Sequence, residues 1–211
     1  MARSTIRRLV EQMPEHGLAL HATLVGNLES IKRDGLKSPD PGNPVWVCPL
    51  PSKWQLVTHS ERQFLELVIG SAMIAGGYAT NLSVNPGAKT ENLPAMVILK
   101  GTPLMGFTLA GYPSVFYPSY TTKSYHRYFG AASTKRILPD SVAATVHLTP
   151  EEHRQIHSSY KTSRRWRRLV TSKEREAEIK EKEITKAVIR LLARKTLKAL
   201  REVIEAGAKS K

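Results

Sequence analysis

All 13 prolines of this 211-residue chain lie at or before Pro150, and Gly207 is the single glycine after it. Proline lacks an amide donor and breaks a helix interior at a cost of about 3 kcal/mol. Its distribution therefore divides the chain into a loop-rich body, residues 1–148, and an uninterrupted run of helix formers, residues 149–211. Charge changes at the same place. Residues 1–150 hold 14 basic and 9 acidic side chains, a balance of +5, whereas 151–211 hold 18 and 9, a balance of +9. The total of +14, with an isoelectric point near 10.0, points to nucleic acid or another polyanion as partner.

A hydrophobic fraction of 41% sets wholesale disorder aside. The single cysteine, Cys48, rules out an internal disulfide, and with no Cys/His cluster there is no structural metal site, which fits a reducing, cytoplasmic setting. Residues 1–20 carry no apolar run of the kind a secretion signal needs. The uncharged stretches 67–88 and 102–122 approach membrane-span length, but Gly, Pro and polar residues interrupt both, so no membrane span is expected.

Within the body, Ser4 to Met13 reads as a short amphipathic helix and Leu18 to Thr23 as a buried strand. Asn27 is placed to cap a helix whose apolar positions are Leu28, Ile31 and the later Leu36, with Gly35 as its stop. Val45 to Cys48 is a β-rich run halted by Pro49, and Ser60 opens a longer helix through Phe64, Val68 and Met73. Met96 to Leu99, Val115 to Tyr117 and Thr145 to Leu148 read as further strands. In the C-terminal part, Thr149-Pro150-Glu151-Glu152 starts a helix to about Tyr160, and a second runs from Ser172 to about Ala206. The apolar stripe of that second helix, Ile184 to Ile204, needs a covering surface: the body, a protein partner or second copy, or a membrane.

The body's motifs, taken in order, resemble the ADP-ribosyltransferase superfamily. They are His21-Ala22-Thr23 on a strand, a helix ending in Gly35-Leu36, the aromatic strand Val45-Trp46-Val47, and the hydrophobic-proline segment Ile137-Leu138-Pro139-Asp140. The nearest flavour is the branch of nucleic-acid-modifying toxin-like and RNA 2′-phosphotransferase-like domains. The resemblance implies an α+β fold: an ADP-ribosyltransferase-like split β-sheet core with a C-terminal basic helical extension. It also implies NAD as the cofactor. His21 would then hydrogen-bond the ribose of the nicotinamide half, Thr23 would shape that strand end, and Trp46 would pack on the nicotinamide.

The resemblance further implies a glutamate just before the hydrophobic-proline segment, where a carboxylate stabilises the oxocarbenium-like ribose. Lys135 and Arg136 stand there instead, and a cation opposes a developing cation by several kcal/mol. Three readings follow. An acid displaced to Asp140, Glu61 or Glu66 would restore transfer from NAD. A basic site with His21, Arg127 and Arg136 would suit phosphate handling, giving Arg136 a catalytic place beside His21. A catalytically degenerate domain would serve binding or assembly.

Two other features bear on partners. Seven aromatic residues from Tyr112 to Phe129, interleaved with Lys123, His126 and Arg127, form either a base-stacking surface or a ring-filled core. Arg164-Arg165-Trp166-Arg167-Arg168 places four guanidiniums around one indole, a pattern suited to phosphates and a stacked base or to an acidic protein surface. No helix-turn-helix surrounds it, so the expected binding is salt-sensitive and indifferent to sequence.

Overall fold

The computed structural model describes residues 8–9, 11–12, 18–37, 45–50, 64–65, 68–75, 87–100, 131–133, 137–159 and 172–209. Among these, five strands form one antiparallel sheet: β1 (Leu18–Leu24), β2 (Val45–Pro49), β3 (Pro94–Lys100), β4 (Ala131–Ser133) and β5 (Val142–His147), in the order β4-β2-β1-β3-β5. The helices are α1 (Leu28–Asp34), α2 (Pro150–Ser159) and α3 (Lys173–Lys209), with further helical residues at 8–9, 11, 64–65 and 68–75. Mixed helix and strand, α+β, is therefore the class.

The sheet is covered on both faces. On one, Leu18, Leu20, Met96, Ile98 and Val146 pack with Phe64, Val68 and the α3 residues Ile184, Val188, Leu192, Leu200 and Ile204. On the other, Ala19, Val45, Val47, Ala95, Val97 and Leu99 pack with Leu28 and Ile31 of α1 and with Leu36 and Ile137. The apolar stripe of α3 thus finds its cover in the body's own sheet, where each fully buried aliphatic side chain contributes at most about 1.5–3 kcal/mol. The stripe offered above to a protein partner, a second copy or a membrane is occupied within the chain.

Chain entry into α2 follows the expected chemistry. The Thr149 backbone N–H donates to Glu152 Oε2 at 2.8 Å, and the Glu152 N–H donates back to Thr149 Oγ1 at 3.1 Å, a reciprocal capping box. Lys195 of α3 then donates to both oxygens of the same carboxylate, at 2.8 and 2.7 Å, which ties the two C-terminal helices together.

The start of α1 departs from expectation. Asn27 makes no side-chain cap; a 3₁₀ turn, Val25–Asn27, leads into the helix. Its amide Nδ2 donates instead to Thr23 Oγ1 at 3.1 Å, because the tight turn leaves Asn27 reaching back toward the strand it has just left. Gly35 does end α1, with φ +76° and its N–H donating to Ile31 O at 2.8 Å.

Candidate functional site

Side chains alternate across a strand, and Leu18 and Leu20 lie in the α3-side core while Ala19 lies in the other. The same period puts His21 and Thr23 on the face that α1 covers. Register carries this face across the sheet: His21 opposes Val97 and Thr23 opposes Ala95 on β3, and these oppose Thr145 and His147 on β5. Directly opposed residues share a face. The result is two rows, His21–Val97–Thr145 and Thr23–Ala95–His147. Their middle is closed, since Ala95, Val97 and Thr23 are buried, and the half-buried residues are His21 on one side and Thr145 and His147 on the other.

His21 stands where the sheet opens. Leu50 N–H donates to Leu18 O at 2.7 Å, and the β1–β2 ladder continues through Ala19↔Pro49 and Leu20↔Cys48, where its pairing ends. From there β2 pairs with β4 instead, Val45 with Ser133, Trp46 with Ala132 and Val47 with Ala131. The β1–β3 ladder continues through all seven residues from Leu18 to Leu24. Next to His21, Ala22 and Thr23, β1 is therefore paired on the β3 side and has left β2, so a split separates His21–Thr23 from Val45–Val47.

The two other segments of the motif series also meet. Leu36, just after α1, forms an isolated antiparallel bridge with Ile137. Asp140 follows in the 3₁₀ turn Pro139–Ser141 and is exposed. None of the five strands contains Asp or Glu, so no strand presents a carboxylate at the split. Lys135, Arg136, Glu61, Glu66, Arg127, the 112–129 aromatic run and Arg164, Arg165, Trp166, Arg167 and Arg168 lie outside the described residues. Of Trp46, the backbone register alone is described.

Nothing local marks His147, since a histidine ending an apolar strand has no signature in sequence. The Thr145-x-His147 alternation is the one hint of its face. Burial, the ammonium of Lys195 and that of Lys32 push its imidazole below the ordinary histidine range, against an opposing pull from Glu152. Its Nδ1 is buried without a protein hydrogen-bond partner. Burial works against the charge of Glu152, but Lys195 and Thr149 together outweigh it and hold the carboxyl below the usual range. On the other face, burial pushes the Cys48 thiol up to about 12, with Ser71 drawing it slightly the other way. That thiol is no nucleophile at neutral pH.

Among the described residues, no three His, Cys, Asp or Glu side chains group as a metal site, and no helix is long and apolar enough to cross a membrane. Compared with family models, curated proteins and solved structures, the chain matches none.

Proposed function

We propose that this chain is an ADP-ribosyltransferase-like protein that binds NAD at the split between β1 and β2 and acts on or near nucleic acid. The observation that carries this reading is the end of β1–β2 pairing at Leu20↔Cys48, one residue before His21. A histidine beside the end of that pairing can donate to or accept from a sugar hydroxyl. The bridge between Leu36 and Ile137 lends support, because it joins two segments on which the resemblance rests.

In this reading His21 holds the ribose of the nicotinamide half. Thr23, whose hydroxyl accepts from Asn27, fixes the strand end. Bound NAD would supply an ADP-ribosyl group on a labile glycosidic bond. The acid that favours its departure has to come from outside the strands, from Asp140, Glu61 or Glu66. In the phosphate-handling variant of the same reading, Arg136 takes that place beside His21. Nicotinamide release from NAD, measured with and without single-stranded nucleic acid and beside His21→Ala, tests the reading. Turnover lost in the variant supports it, and turnover equal in both would refute a role for His21.

A second reading keeps the fold without the chemistry: a catalytically degenerate domain that binds nucleic acid or an assembly through its basic C-terminal region. It is favoured by the acid-free strands and by the apolar packing of Val45, Val47, Leu36 and Ile137 close to the split. It predicts no nicotinamide release and binding that survives His21→Ala.

A further inference from the structure

From Ile184 to Arg201 the chain carries six cations, Lys186, Arg190, Arg194, Lys195, Lys198 and Arg201, and no acidic residue. All of them lie on α3. The buried row of this helix steps in fours through Ile184, Val188, Leu192, Thr196, Leu200 and Ile204. Lys186, Arg190, Arg194 and Lys198 step in fours as well, two residues out of phase. Two residues are about 200° of helical rotation, so the cation row runs diametrically opposite the buried one. All four are exposed, and from first to last they span about 18 Å of helix axis.

The electrostatic state of this row is distinctive. Lys195, outside it, is held by Glu152, and Arg201 by Glu205 at 2.7 Å. Lys186 and Lys198 touch Glu183 and Glu202 at 2.8 and 3.9 Å, exposed pairs of the kind worth less than about 1 kcal/mol and readily exchanged. Among the described residues, Arg190 and Arg194 are in no ion pair at all. Two adjacent guanidiniums one turn apart repel unless an anion lies across them, and nothing in the described fold provides one.

We propose that the row Lys186, Arg190, Arg194 and Lys198 is a docking ridge for the phosphate backbone of nucleic acid. A membrane surface is the lesser fit: a helix lying in lipid buries its apolar face there, and on α3 that face is already packed against the sheet. A nucleic-acid backbone needs charge alone, spaced along a line, with no apolar contact. This inference deepens the nucleic-acid part of the proposed function and is independent of NAD. Its failure would leave nicotinamide release untouched, and the reverse also holds.

The test measures binding of the full chain to a short labelled duplex and to the matching single strand over a range of salt. It compares the wild type with Arg190→Ala/Arg194→Ala and with Arg33→Ala/Lys37→Ala, which removes the same charge from the opposite side of the sheet. Thermal unfolding checks that each variant folds; Arg190 and Arg194 are exposed and, among the described residues, in no ion pair, so folding should be retained. Four phosphate contacts predict a slope of log affinity against log salt of about −3.6 on duplex, and the ridge variant should lower its magnitude by about 2. Affinity near 0.1 M salt should fall at least about tenfold. Equal losses in the two variants, or an unchanged slope in the ridge variant, would overturn the proposal. Tighter ridge-dependent binding to phosphatidylserine vesicles than to either nucleic acid would overturn it too, by making the ridge a membrane contact.

Discussion

Leu36 and Ile137 exchange both of their backbone hydrogen bonds, each 2.9 Å long, although a hundred residues separate them. The bridge fastens the end of α1 to the segment leading into β5. Both residues are buried in the core on the His21 face, so this closure also fixes how α1 lies over that face.

The geometry leaves no room beside that bridge. Gly35 has φ +76° and ψ −175°, a region essentially reserved for glycine, and a Cβ there would stand 2.0 Å from Ile137 O. Gly35→Ala should therefore cost at least about 2 kcal/mol in urea unfolding. Gly207→Ala makes the matching control: a Cβ there meets nothing within 4 Å, so the helix should gain up to about 1 kcal/mol.

Glu152 serves two partners at once, the Thr149 cap and Lys195. Glu152→Ala should lose about 1–2 kcal/mol, and Lys195→Met should lose less, because the cap survives it. The carboxyl's pKa is lowered in the fold. Its contribution is thus present above about pH 4.5 and is lost as pH falls through the lower folded value. Acid titration of stability in Glu152→Gln should lack that component.

His147 also loses stability on acidification, but at a higher pH than Glu152. Its folded pKa lies below 6.5, so the unfolded chain takes up the proton first as pH falls. Stability from this group is complete above pH 6.5 and declines below it, through the folded value. His147→Gln should flatten that part of a denaturation-midpoint profile, and a profile unchanged by the substitution would contradict the assignment.

Cys48 is buried, and burial pushes its thiol up to about 12, so it should resist a thiol reagent at pH 8 in the native protein. It should react at once in urea. Rapid native labelling would mean that the sheet around Leu20 and Cys48 opens far more readily than its packing implies.

The legible parts of the fold were those written in local pattern. The apolar runs at Leu18, Val45, Met96 and Thr145 became strands, and Thr149 with Glu152 became a cap. β4 is not legible in sequence, because Ala131-Ala132-Ser133 has no period or β-branched residue; its partner β2 makes it a strand. Asn27 does stand at the N-cap of α1, but its side chain makes no cap bond, because local propensity cannot show that Thr23 lies within reach. The stripe on α3 was plain, but which surface covers it depends on long-range packing. At the site, spacing alone puts His21 and Thr23 on one face, whereas the split beside them and the row through Ala95 to His147 arise from register, a non-local property.

The most direct measurement is calorimetric titration with a non-hydrolysable NAD analogue, comparing wild type, His21→Ala and the ridge variant Arg190→Ala/Arg194→Ala. Binding to wild type is expected, with at least about tenfold weaker binding to His21→Ala from loss of a ribose hydrogen bond and no change in the ridge variant. Absence of binding to the wild-type chain, or equal binding by wild type and His21→Ala, would contradict NAD binding at His21.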